Sequence, residues 1–169
     1  MSPPIAFEDA VDLLDTDHKA VKKLFIDFSA LSEAQAPASD RRQVADKICQ
    51  ALTVHAQIEE EIFYPAVRKA VGEELLDEAL QEHAEAKEMI AQIQAMDAAD
   101  ASFDDTVKEL GKAIDHHVLE EREQIFLKAR QSPMDLKGLA IPLAERKKEL
   151  MQQAPKKPAA SAKKKKEAA

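Results

Sequence analysis

The chain has 169 residues, enough for one domain with an adequate core, and a net charge of −8. Ala, Leu, Glu, Lys and Gln dominate, with three glycines and 4% aromatics, a composition that points to helix. With no run of 18 apolar residues no membrane-spanning helix is expected, and a single cysteine, Cys49, excludes an intrachain disulfide.

In chain order, the N-terminal "MSPPIAFEDAVDLLD" is acidic and lacks the cationic-then-apolar order of a signal peptide, so a cytoplasmic location is expected. The first helix is predicted from about Phe7 to Leu31, followed by the loop "SEAQAPAS". Ser39 is a plausible N-cap for a second helix, from Asp40 to about Val71, stopped by Gly72. A third runs from Glu73 to about Met96. After "DAADAS", Ser102 and Asp105 resemble a capping box for a fourth, from Phe103 to about Arg130. A fifth, from Met134 to about Gln152, contains Pro142 and is expected to bend or break there. Residues 153–169 are Lys-rich and expected to be disordered. From residue 154 the tail holds six lysines and one glutamate, a charge of +5, which leaves −13 on residues 1–153. An acidic body is not the footprint of a dedicated nucleic-acid domain; only the tail is a candidate for such contact. No strand-type alternation occurs. The expected fold is all-α: residues 1–152 form an up-down-up-down four-helix bundle with an additional C-terminal helix, then the disordered tail.

The apolar stripes step by three or four residues. They read Leu14, His18, Val21, Phe25, Phe28; then Val44, Ile48, Leu52, His55, Glu59, Ile62, Ala66; then Leu76, Leu80, His83, Lys87, Ile90; then Val107, Leu110, Ile114, His117, Glu121, Ile125. Each contains one histidine. The second and fourth add a glutamate four residues on, one helical turn along the same face. Counted from the connecting loops at 1.5 Å per residue, the four histidines fall within about 9 Å of a common level. His116 lies roughly 100° around from His117 and is expected at the surface.

A glutamate is almost never buried unpaired, and an isolated buried carboxylate costs several kcal/mol or more. No arginine lies on the four stripes to neutralise two of them. Four imidazoles and two carboxylates at one level therefore read as a metal site. Six ligands exceed the four of a closed zinc site. Mixed imidazole and carboxylate donors suit iron or manganese, with zinc or cobalt able to substitute. Two carboxylates that can bridge favour two ions. The ferritin-like signature, Glu three residues before His, is absent: Asp15, Leu52, Leu80, Ala113 and Ile114 hold those positions.

The segments "TDHKAVKKLF", "HAQIEEEIFYP", "QEHAEAK" and "HHVLEEREQIFLKAR" together resemble the hemerythrin family, specifically its bacterial HHE cation-binding domains, over about residues 9–131. The resemblance implies a four-helix bundle around a non-haem di-iron centre with His18, His55, Glu59, His83, His117 and Glu121 as ligands. Superposing "EEEIFYPA" on "EREQIFLKA" aligns Glu59 with Glu121 and His55 with His117, which favours His117 over His116. Oxygen-carrying hemerythrins have a second histidine four after the third-helix histidine, where this chain has Lys87. The site is thus one imidazole short of that pattern. Lys87 is expected to pack its stem and send its ammonium to solvent, or else to donate a hydrogen bond to a bound oxidant. The expected function is a metal-binding protein that binds or reacts with dioxygen, peroxide or nitric oxide at two iron ions. Iron storage or donation, a non-catalytic sensor and a metal-free helical interaction module are alternatives, and whether it is an enzyme is open. Asp17 and Glu82, neighbours of His18 and His83, are expected to be solvated, with support of the ligands as their alternative role. Cys49 is expected to be a small buried apolar residue.

Overall fold

Five helices, and among the described residues no strand, make up the computed structural model, which describes residues 8–153. The lysine tail from residue 154 lies outside the described residues. Helix α1 is Ala10–Glu33. Helix α2 covers 38–71, as Ala38–Ile58, a π-helical turn Glu59–Phe63, and Tyr64–Val71. Helix α3 is Glu73–Ala95. Helix α4 covers 103–131, as Phe103–Glu120, a second π-helical turn Glu121–Phe126, and Leu127–Gln131. Helix α5 is Leu136–Gln153. The first four form the bundle, and α5 packs against α1 and α2. None of these helices is long and apolar enough to cross a membrane.

The helix starts depart from expectation for local reasons. Asp9 caps α1, its Oδ1 accepting from the Asp12 N–H at 2.8 Å. Ser39 is not a cap: Pro37 fixes an extended backbone, and its carbonyl accepts from the amides of Asp40 and Arg41 at 3.0 and 3.2 Å. Ser102 precedes α4 but its backbone is already helical, so its hydroxyl cannot turn to the first-turn amides and the expected capping box does not form. Gly72 does stop α2, at φ 101°, and the single residue joins α2 to α3; a side chain there would be strained. Helix α5 runs unbroken through Pro142. The proline sits on the exposed face, where its ring meets no packed neighbour helix.

Both π-helical turns begin at a stripe glutamate, and each shifts the buried face by one residue. After Glu59 the expected Ile62 and Ala66 are replaced in the core by Phe63, Tyr64, Val67 and Val71, and Ala66 is exposed. After Glu121, Ile125, Phe126 and Ala129 are buried. Two apolar clusters result. One holds Leu13, Leu14, Ile58, Phe63, Val67, Leu76, Phe126 and Leu143; the other holds Val21, Phe28, Ile48, Leu52, Ile90, Phe103 and Leu110. A polar layer separates them. Cys49 lies in the second cluster, and burial, with the Asp46 carboxylate nearby, pushes its thiol up to about 12. Only about one molecule in ten thousand carries the thiolate at pH 8. Native protein is therefore expected to leave Cys49 unlabelled by Ellman's reagent over hours, and denaturant to release one thiol per chain.

Candidate metal centre

The polar layer consists of the six residues expected from the stripes. His18, His55, His83, His117, Glu59 and Glu121 are all buried, the two glutamates to 0% and 1% exposure. The rings form two pairs, His18 with His55 at 4.8 Å between centroids and His83 with His117 at 4.9 Å. The glutamates lie between the pairs. Glu59 turns one oxygen to each, Oε2 to His55 Nε2 at 3.2 Å and Oε1 to His83 Nε2 at 3.1 Å. Glu121 Oε1 is 3.1 Å from His18 Nε2 and 3.6 Å from His117 Nε2. Two donors sharing an ion at about 2.1 Å lie about 3.0–3.4 Å apart, the spacing of three of these four contacts, with His117 at 3.6 Å slightly wider. Five of these atoms (His18, His55 and His117 Nε2, Glu59 Oε2, Glu121 Oε1) are buried without an aligned hydrogen-bond partner. Such atoms are costly in a packed core unless something else satisfies them. The donor set fits a divalent cation in each half of the layer.

The other ring nitrogens are held by carboxylates. His18 Nδ1 faces Asp15 Oδ1 at 3.4 Å, and His55 Nδ1 faces Asp17 Oδ2 at 3.0 Å. His83 Nδ1 faces Glu60 Oε2 at 2.7 Å, and His117 Nδ1 faces Glu82 Oε1 at 2.6 Å. Donation from Nδ1–H to a carboxylate leaves the Nε2 lone pair free and aimed inward. Asp17 and Glu82 are therefore not solvated: each leaves its own helix and reaches the histidine of the next. Glu60 does the same from α2 to α3, and only Asp15 serves its own helix. A third ring lies outside. Asp15 pairs with Arg122 at 3.2 Å, Glu60 with Lys87 Nζ at 3.0 Å, and Asp17 with Lys147 of α5. Lys87, 52% exposed, thus sends its ammonium towards solvent and onto Glu60. His116 is 64% exposed, as expected, beside Glu82 and Glu120.

Tyr64 completes the layer. Its hydroxyl donates to Glu121 Oε2 at 2.6 Å and lies 3.3 Å from Glu59 Oε1 and 3.4 Å from His83 Nε2. Burial, together with both glutamates, pushes the phenol well above its usual range, so it stays a donor. Burial opposes charge on His55 and His83, but their carboxylate neighbours prevail: His55 is held well above the usual imidazole range and His83 at about 9. Burial lowers His117. Burial would raise Glu59, yet the His55 charge beside it brings it well below the usual range. Without a metal, imidazolium protons fill the role a cation would take.

A cavity of about 30 Å³ lies against the four rings, lined by Val21, Leu52, Ala86, Ile90, Ile114 and Val118 and, among polar residues, by Asp17, Thr53 and Lys87. A second, narrower cleft runs between α3 and α4 from Glu78, Glu82 and Glu120 to His117 and Glu121. Sequence reasoning missed Tyr64, Asp15 and Glu60. The signal for Glu60 was the pattern that drew attention to Asp17 and Glu82: an acidic residue next to a stripe ligand.

A four-helix bundle with a buried layer of inward-facing imidazoles and carboxylates defines a cation-binding helical protein. Residues 9–129 match the family model described as hemerythrin HHE cation binding domain, and the chain belongs to that family. It is also 31% identical over 121 residues to a DNA nickase from Nostoc sp., a match covering 72% of this chain and 33% of the relative. The chain thus spans about a third of that protein's length. Among solved structures, a hemerythrin HHE cation binding domain-containing protein from Mycobacterium kansasii has the same fold, with TM-score 0.73 at 20% identity over 86% of this chain and 89% of that one.

Proposed function

We propose that the protein holds a non-haem di-iron centre and binds or reacts with a small oxidant: dioxygen, peroxide or nitric oxide. His18 and His55 would hold one ion and His83 and His117 the other, with Glu59 and Glu121 placed to be shared by both. The observation that carries this is the position of each glutamate, with a histidine of each pair within 3.6 Å. Iron held there supplies a redox-active centre able to coordinate a diatomic or peroxide ligand. The chain's own groups set the conditions. Four Nδ1–carboxylate pairs fix the ring orientation, Tyr64 offers a proton donor at Glu121, and the apolar wall from Val21 to Val118 limits water. A volume of about 30 Å³ has room for a molecule of a few atoms, since one water needs about 10–15 Å³. Cys49 in its reduced form accords with a cytoplasmic location. Nicking of DNA is not carried over from the longer relative, because residues 1–153 bear −13.

The test is metal analysis of protein from iron-replete cells, followed by optical spectra on adding peroxide. Two irons per chain and an oxo-type charge-transfer band are expected; one iron or none overturns the reading. Asp17→Asn, which leaves His55 with a neutral acceptor, is expected to weaken metal binding about 10- to 100-fold. Competition with a chelator of known affinity measures it.

A further inference from the structure

Three of the four outer carboxylates end on a permanent cation: Asp15 on Arg122, Asp17 on Lys147 and Glu60 on Lys87. The fourth does not. Glu82 meets the imidazole of His116, Oε2 to Nε2 at 3.6 Å, and a further carboxylate, Glu120 Oε2, lies 3.3 Å from the same nitrogen. Here the chain presents one neutral-capable ligand and two acids where elsewhere it presents a lysine or arginine. The three donor atoms lie close enough to share one ion, and the two distances from the imidazole nitrogen, 3.6 and 3.3 Å, are near the edge of a tetrahedral site, about 3.4 Å. A second observation concerns the cleft beneath this cluster. The cleft between α3 and α4 begins at Glu82 and Glu120 and is lined further in by His117 and Glu121, both more than nine-tenths buried. Their Nε2 and Oε1 have no hydrogen-bond partner. Glu82 spans the two levels, with Oε1 on His117 Nδ1 and Oε2 towards His116.

We propose that Glu82, His116 and Glu120 form a surface site for a divalent transition metal, through which ions pass along the α3–α4 cleft to the buried layer. Mixed imidazole and carboxylate donors suit Fe²⁺, Zn²⁺, Co²⁺ or Mn²⁺. The doubled run "HHVLEE" is what builds it: His117 and Glu121 face inward, while His116 and Glu120, one residue earlier, repeat the same offset about 100° around the helix. Transfer is ligand exchange with no change of oxidation state. An ion held by Glu82 and Glu120 is taken over by Glu121 and His117, and protons displaced from the inner groups leave to solvent. The transit half of the proposal rests on the di-iron reading; the capture half does not.

Zn²⁺ titration of the metal-free full chain separates the two. Wild type is expected to bind three ions, His116→Ala two, and Glu59→Gln with Glu121→Gln one. If the double variant binds none and wild type two, the surface site is overturned and the di-iron reading stands. If wild type binds one and the double variant one, the di-iron reading fails alone. Loading is followed separately by the d–d absorption of Co²⁺ added to the metal-free chain. His116→Ala and His116→Lys are both expected to slow filling of the two buried positions about tenfold, and to end on one shared final spectrum that lacks only the surface ion's contribution. His116→Lys gives Glu82 the permanent cation that its three counterparts have, so it preserves the support of His117 while removing the capture ligand. Wild-type loading by either variant overturns the transit role. The exposure of His116 keeps both changes out of the core.

Discussion

Replacing Glu59 and Glu121 together by glutamine is expected to abolish tight binding of the two ions proposed for the buried layer. The reason is charge. Four neutral imidazoles lend no negative charge to two divalent cations, and the two glutamates are the only fully buried anions among the described residues of the layer. Each also turns towards both histidine pairs, so neither half keeps a complete donor set when both are lost. At a thousandfold excess over Kd an ion that binds only the folded chain stabilises it by about 4 kcal/mol. At about 2–4 °C per kcal/mol for a chain of this size, two ions raise Tm by at least about 15 °C. That shift is expected in wild type and expected to collapse in the double variant, measured by thermal unfolding with and without Zn²⁺. Retention of the full shift refutes the bridging role. Loading also releases protons, because His55 and His83 carry them in the metal-free chain at neutral pH. Apparent affinity therefore rises as pH rises from 7, with the His83 proton competing up to about 9.

The helix count, the membership of the six-residue layer and the inward turn of His117 rather than His116 were legible because each follows the periodicity of its own helix. A stripe needs only 3.6 residues per turn and a contrast between apolar and polar side chains. What lay outside reach required a partner helix. Asp17, Glu60 and Glu82 each sit beside a stripe residue and look solvated on their own helix, yet each meets a histidine of the next. Lys87 and Lys147 are ordinary surface lysines until Glu60 and Asp17 are in place. The caps failed for another reason: Ser39 and Ser102 fit the composition of a cap, but Pro37 and an already helical Ser102 backbone decide the geometry. The π-helical turns did leave a trace. In "HAQIEEEIFYPAVRKAV" the stripe runs His55, Glu59, Phe63, Val67, Val71 in unbroken steps of four, where a period of about 3.6 requires an occasional step of three, and that excess is the mark of an inserted residue.

Deleting Glu61 tests what that inserted residue does. Glu61 is exposed within the turn, where Tyr64 N–H reaches back five residues to the Glu59 carbonyl. With it gone, Phe63, Tyr64, Val67 and Val71 fall at offsets of three, four, seven and eleven from Glu59, a regular α-helical stripe, so the buried face is preserved. The fold is expected to survive. The lost pairing with Arg146 of α5 is a surface ion pair, worth about 1 kcal/mol or less. The site does not survive, because everything after the deletion moves about 1.5 Å along the axis and Glu59 turns with its own carbonyl. Tyr64 then loses its 2.6 Å hydrogen bond to Glu121, and the Glu59 oxygens leave the positions between His55 and His83. Metal sites tolerate errors of only about 0.2 Å. Near-wild-type helical circular dichroism and a Tm lowered by a few degrees are expected, with binding of the buried pair weakened about 100-fold or more. Wild-type affinity for both ions in the deletion variant shows that the widened turn is not needed to aim Glu59; loss of folding shows that the one-residue slip is demanded by packing instead.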